Sequence, residues 1–185
     1  GMFVTAVFGK FNTETGDVTF VNAGHESIML FDKSLNFEFL KSELPPIGIV
    51  KYFTESMVVS KTINLKDKTF VVYTDGVTEG YLENGKELGA EGVEEIIKNL
   101  HEVNPSSIVE GIASKLNWGA DKLRDDITCL ALNLENTELL KTKKWKKFFY
   151  INFNFIYSNK FNSRRNNISR DFRKSYRFRT KLKLC

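Results

Sequence analysis

Residues 70–81, FVVYTDGVTEGY, hold the pattern on which the prediction of the fold depends. The first five residues are aromatic or β-branched and are typical of a buried strand. That strand leads directly into Asp75 and Gly76, so a carboxylate stands where the core strand ends. Asp-Gly here is either an ordinary turn or a place where a ligand approaches the backbone closely. The stretch therefore predicts a core strand with a candidate site at its carboxyl end.

A second pair of acids precedes another apolar stretch. Asp125 and Asp126 lead into residues 126–134, DITCLALNL, which are apolar nearly without a break, as in a central strand. If this strand is the antiparallel neighbour of the strand at 69–74, its acids lie beside Asp75. Clustered carboxylates repel unless a cation holds them, and all-oxygen ligation suits Mg²⁺ or Mn²⁺. The alternative is a common Asp-Gly turn and a solvated Asp-Asp loop.

Strands dominate the first part of the sequence, and helices follow. Aromatic and β-branched runs predict strands at residues 2–11, 18–23, 27–31, 36–40, 55–65 and 69–74. The spacing of apolar residues predicts helices at 91–101 and 105–117, the second with Asn104 as its N-cap. The strand at 126–134 must then return to the sheet. This order indicates an α+β fold rather than alternating βαβ units.

Charge divides the chain into two parts. Residues 136–185 carry 15 of the 27 Lys and Arg residues and two acids, a net charge of +13, whereas residues 1–135 carry −9. We therefore predict a folded domain at 1–137 and a basic tail at 138–185. The tail, with basic residues among aromatic ones, could bind single-stranded nucleic acid or an anionic membrane. No RNA-binding signature accompanies the charge, so we expect a disordered or unselected tail that contacts neither.

The two cysteines, Cys129 and Cys185, are too few for a disulfide framework or a four-ligand metal site. Cys129 lies in an apolar stretch and is expected to be a small core residue. No signal peptide and no apolar run approaching the roughly 20 residues of a membrane helix is visible. We expect a cytoplasmic protein.

Four segments in series carry a resemblance to a known family. They are FVTAVFGKFNTETGDVTFVNAGH at 3–25, LPPIGI at 44–49, YTDGVTEGYLENGKELG at 73–89 and DDITCLAL at 125–132. In this order and spacing they resemble the PPM family of metal-dependent Ser/Thr protein phosphatases, in its SpoIIE-type bacterial branch. The resemblance covers about residues 2–134. It implies a PPM-type β-sandwich flanked by helices, with a centre of two Mn²⁺ or Mg²⁺ ions at one edge.

The resemblance also implies roles for particular residues. Asp75 and Asp125 would be metal ligands, Asp126 would lie in the adjacent shell or be an alternative ligand, and Gly76 would be the close-packed glycine beside the metal. His25, in the segment NAGH, would bond a phosphate or organise the site, unless it only caps the turn after a strand. Outside this set, Glu79 matches a position where some relatives carry an acid near an extra metal.

The implied reaction is direct hydrolysis of phosphoserine or phosphothreonine on a regulatory protein such as an anti-sigma-factor antagonist, in bacterial sigma-factor signalling. The family's first metal motif, an Asp-Gly pair before the first matching segment, is expected upstream of this chain. Asp75 and Asp125 are too few to hold two ions, because each hard ion takes about six oxygens. We expect the C-terminal part of the catalytic domain, inactive alone; the alternative is a degenerate phosphatase-like module that binds a phosphoprotein partner.

Overall fold

The computed structural model describes residues 2–12, 15–52, 54–117 and 125–134 in full, and the backbone of two further strands. The elements are β1 (Ala6–Phe11), β2 (Asp17–Ala23), β3 (Ile28–Asp32), β4 (Phe37–Leu40), β5 (Lys61–Asn64), β6 (Lys68–Tyr73), α1 (Asp75–Thr78), α2 (Gly89–Lys98), α3 (Pro105–Lys115), β7 (Ile127–Leu134), β8 (Tyr150–Ser158) and β9 (Lys174–Lys181). A 3₁₀ turn spans Glu55–Met57.

The strands form two antiparallel sheets. One has three strands in the order β1-β2-β5, and the other has six in the order β4-β3-β6-β7-β8-β9. One hydrophobic cluster joins side chains of β2 to side chains of β3, β4 and β6, and a second joins β3, β6 and β7 to α2 and α3. The layers are therefore sheet, sheet and helices. This arrangement confirms the predicted α+β sandwich flanked by helices.

Strand alternation explains how one sheet serves two cores. In β3, Met29 and Phe31 belong to the core beneath the helices, whereas Ile28 and Leu30 belong to the core between the sheets. Successive side chains of a strand point to opposite faces, so a sheet covered on both sides is apolar at every position. This is why the sequence of β7 is apolar almost throughout, and β7 is indeed central, between β6 and β8.

The two long helices begin and end close to their predicted positions. At the start of α3 the Asn104 side chain accepts a hydrogen bond from the Ser107 backbone N–H at 2.9 Å, and the Ser107 hydroxyl accepts one from the Asn104 N–H at 3.0 Å. This reciprocal capping box satisfies two backbone donors, and Pro105 adds a preset φ at the first helical position. The N-cap prediction is confirmed.

The strand predicted at residues 55–65 is wrong over its first half. Only Lys61–Asn64 forms a strand, paired with β2. Further along β2 the neighbouring position is taken by Leu44, which forms a parallel bridge with Ala23. The preceding residues therefore find no strand partner there, and Met57 and Val59 stay exposed.

The strand predicted at residues 2–11 is too long. Its pairing with β2 runs from Phe11 back to Ala6, where β2 ends at Ala23. Before that point Val4 pairs instead with Ile47, through two backbone hydrogen bonds of 2.8 and 2.9 Å. The start of the chain is thereby joined to the loop that contains LPPIGI.

The basic tail contributes two strands to the larger sheet. β8 pairs with β7 along its length, and β9 pairs with β8. The composition of this region predicts a disordered or unselected tail, which stays a prediction for the residues outside the two strands. The rest of the tail, with Cys185, lies outside the described residues, and the boundary at 137/138 stays a prediction.

Replacing the N-cap by Asn104→Ala should lower the free energy of unfolding by about 1 kcal/mol, because the Ser107 backbone N–H loses its acceptor. Urea denaturation followed by circular dichroism measures the change. Asn104→Ser keeps a capping oxygen and should stay within about 0.5 kcal/mol of the parent. Equal losses in the two variants would show that the cap does not stabilise α3.

Candidate metal centre

The end of β6 and the start of β7 meet at one edge of the larger sheet. Their register runs to Tyr73 opposite Cys129. One step further, the Thr74 backbone N–H donates to the Thr128 carbonyl at 3.0 Å. The prediction that these strands are antiparallel neighbours is therefore confirmed. Asp75 follows directly on one side of this junction, and Asp125 and Asp126 precede it on the other.

Gly76 lies against the backbone of Asp126. A Cβ added to Gly76 would stand 2.4 Å from the Asp126 carbonyl oxygen, closer than any side chain tolerates. Gly76 is buried and is not among the glycines of positive φ, so what it provides is space rather than an unusual backbone angle. Its missing side chain lets α1 and the start of β7 approach closely.

Two carboxylates next to this contact are exposed and bonded to neighbouring backbone. Asp75 Oδ1 accepts from the Gly76 N–H at 2.9 Å, and Asp125 Oδ1 accepts from the Asp126 N–H at 2.7 Å. None of the ion pairs in the described part of the chain involves Asp75. Asp126 is half-buried. Asp75, an exposed carboxylate with no ion-pair partner among the described residues, is therefore available to a cation.

The donors fit a divalent ion in chemistry but are few in number. Carboxylate oxygens are the ligands of Mg²⁺ and Mn²⁺, and these ions keep several waters. Across the described residues, no three His, Cys, Asp or Glu side chains gather closely enough to hold an ion. Asp75, Asp125 and Asp126 can therefore supply only part of a coordination shell, and their roles as ligands stay predictions.

His25 enters at the same edge from the neighbouring strand. Because β3 pairs antiparallel with β6, the residues that precede Ile28 lie beside the end of β6. The buried Asn22 side chain holds the turn: its Oδ1 accepts from the His25 N–H at 2.9 Å, and its Nδ2 donates to the Glu26 carbonyl at 3.0 Å. His25 Nδ1 lies 3.2 Å from the Thr5 hydroxyl. The imidazole is thus held in place by a side chain before β1, and its catalytic role stays a prediction.

The turn that carries His25 packs closely against the loop at residues 44–49, LPPIGI. Gly24 has φ +67°, and a Cβ there would stand 2.3 Å from Pro46 Cγ. The Gly24 N–H donates to the Ser42 hydroxyl at 2.7 Å, which anchors the same turn from the other side. The sequence segments NAGH and LPPIGI are therefore two halves of one packed unit.

Two acids that the sequence analysis missed, Glu26 and Glu91, also lie near this edge. Burial raises the pKa of Tyr73 to about 12, and the negative charges of the Glu26 and Glu91 carboxylates add to the effect. The sequence signal for Glu26 was only its place after NAGH. Glu79 is exposed, and its backbone N–H donates to the Asp75 carbonyl at 2.7 Å.

Cys129 is buried and free, as predicted. Burial raises the pKa of its thiol to about 12, so it is uncharged near neutral pH and is not a candidate nucleophile. No helix in the described part of the chain is both long and apolar enough to cross a membrane.

Comparison with known families shows the class of protein to which this fold belongs, the SpoIIE-type branch of the PPM phosphatase family. The sequence profile described as Stage II sporulation protein E (SpoIIE) matches residues 1–135. The chain therefore belongs to the SpoIIE family. Among curated proteins, none matches the sequence significantly.

Solved structures of this family share the fold. The Mn-presoaked phosphatase domain of the cell fate determinant SpoIIE from Bacillus subtilis is 15% identical with a TM-score of 0.54, over 77% of this chain and 62% of that one. The RsbU and RsbW domains of a Mycobacterium tuberculosis protein are 18% identical with a TM-score of 0.50, over 69% of this chain and 36% of that one. The chain thus spans about three fifths of the length of the SpoIIE domain.

The contribution of the Gly24–Pro46 contact to stability can be tested by comparing two glycines of similar φ. Gly24→Ala should lower the free energy of unfolding by about 2 kcal/mol more than Gly85→Ala, since it adds overpacking to the strain of positive φ. Gly85 has φ +77° with no atom within 4 Å of an added Cβ, so its variant isolates the strain. Chemical denaturation measures both, and equal losses would show that the contact with Pro46 is unimportant.

Proposed function

We propose that this chain is the C-terminal part of a catalytic domain that removes phosphate from phosphoserine or phosphothreonine on a regulatory protein. Membership of the SpoIIE family supports the reaction class. The observation that carries the proposal is the contact of Gly76 with the Asp126 backbone, because it brings acids from two strand ends to one edge.

In this proposal Asp75 and Asp125 hold a divalent ion, Mn²⁺ or Mg²⁺, and Asp126 supports them or replaces one of them. Two carboxylates hold one ion weakly, and a complete domain would hold two with the Asp-Gly motif expected upstream. A bound ion supplies Lewis-acid activation of water and neutralises charge on the phosphoryl oxygens.

The chain's own residues would orient the substrate. With Nδ1 of His25 facing the Thr5 hydroxyl, Nε2 is the nitrogen left to donate to a phosphate oxygen. The Asn22 side chain fixes the turn below it, so the imidazole needs little reordering when substrate binds. Glu26 and Asp75 leave the edge negative until an ion is bound, which disfavours phosphate in the absence of metal.

The substrate we propose is a phosphorylated regulatory protein, such as an anti-sigma-factor antagonist, in the cytoplasm of a bacterium. An exposed active-site edge suits a protein substrate, because a phosphoserine on a surface segment can reach carboxylates that are themselves exposed. The rival function is a phosphoprotein-binding module without hydrolysis.

Asp75→Ala and Asp125→Ala should each abolish Mn²⁺-dependent hydrolysis of a phosphoserine peptide, because each removes a charged ligand. The assay uses a longer chain that also carries the Asp-Gly motif upstream of residue 1, and it measures phosphate release with and without chelator.

Glu38→Ala is the matched control, since Glu38 is an exposed acid on β4 of the same sheet, and its variant should keep full activity. Near-normal turnover in either aspartate variant would refute the ligand assignment. A longer chain that binds the phosphopeptide and releases no phosphate would instead establish the binding module.

A further inference from the structure

Thr74 links the two strand ends with its side chain as well as its backbone. Its hydroxyl donates to the Asp126 carbonyl at 3.0 Å and accepts from the Thr128 N–H at 3.0 Å. Together with the backbone bond from Thr74 N–H to the Thr128 carbonyl, three hydrogen bonds of 3.0 Å join this one residue to the start of β7. A hydroxyl has one donor and two acceptor sites, so the donor and one acceptor are used here.

This link stands next to both proposed ligands in the sequence. Asp75 follows Thr74 directly, and Asp125 precedes Asp126, whose carbonyl the hydroxyl holds. Each carboxylate is in turn bonded to the next backbone N–H, at Gly76 and at Asp126. Hydroxyl, backbone and carboxylates therefore form one short series of contacts across the junction.

We propose that Thr74 is a positioning residue for the ion: its hydroxyl fixes the separation of the Asp75 and Asp125 carboxylates. The inference rests on the proposed function, since it concerns the same ion site. Outer residues that orient metal ligands change affinity without touching the metal. Without the hydroxyl, the Thr128 N–H and the Asp126 carbonyl lose a partner, and the strand ends can separate.

The discriminating property is the hydroxyl, not the size of the side chain. Thr74→Val keeps the shape and removes the hydroxyl, whereas Thr74→Ser keeps the hydroxyl and removes a methyl group. Thr69→Val is the matched control, because Thr69 lies on β6, the strand that leads to Thr74, at the end away from the junction. The same chemical change is thereby made far from the junction.

Binding of Mn²⁺ to the full 185-residue chain is measured by titration with detection of free Mn²⁺ by electron paramagnetic resonance. Thr74→Val should weaken Mn²⁺ binding about tenfold, whereas Thr74→Ser and Thr69→Val should stay within about twofold of the parent chain. Metal-free unfolding in urea is recorded for every variant, so that a change in affinity can be compared with a change in stability.

Unchanged affinity in Thr74→Val overturns the positioning role and leaves the ion site intact. Equal weakening in Thr74→Val and Thr69→Val also overturns it, because the effect would then follow general loss of stability. If Thr74→Val does not fold, Thr74→Ser decides, since a tenfold loss there with the hydroxyl present refutes the inference. A parent chain that binds no Mn²⁺ refutes the ion site itself, and the positioning role with it.

Discussion

The junction between β6 and β7 is the constraint on which the candidate site depends. Both strands are covered on two sides, with Val71 and Ala131 beneath the helices and Phe70 toward the second sheet. A slip of one residue would turn each of these side chains to the wrong face, so the register is fixed by the core. Because Asp75 follows β6 directly and Asp125 and Asp126 precede β7, the register of the two strands sets the positions of these acids. Their place at the edge therefore follows from core packing rather than from their own interactions.

The packed core has a second consequence at the same edge. The turn before β3 must enter beside the end of β6, and its path is set by the contact of Gly24 with Pro46. The segments NAGH and LPPIGI, which are separated in the sequence, thus pack against each other at this contact. The residues before β1 take part as well, since Val4 pairs with Ile47 in the same loop. His25 is therefore held by contacts on several sides rather than by a flexible loop.

Periodicity predicted the layers well because each buried strand repeats its signal over several residues, as in β3 and β7. It predicted too long a strand at residues 55–65, because Leu44 pairs with Ala23 and occupies the edge of β2 that this strand would need. It could not find α1, which has four residues and no room for a period. Nor could it find the role of Thr74, whose partners lie on another strand. The ligand roles of the acids depend on an ion and on further donors, which neither pattern nor fold supplies.

The hydrogen bond from Thr74 to Asp126 joins positions 52 apart in the sequence, and α2 and α3 lie between them. Closing so long a loop is unfavourable until the helices pack and offset the lost chain entropy. The closeness of the two groups of acids therefore depends on the tertiary fold. A peptide that carries TDG alone, or DDIT alone, is only an acidic peptide. Unfolding of either helix would therefore weaken the edge without changing any residue in it.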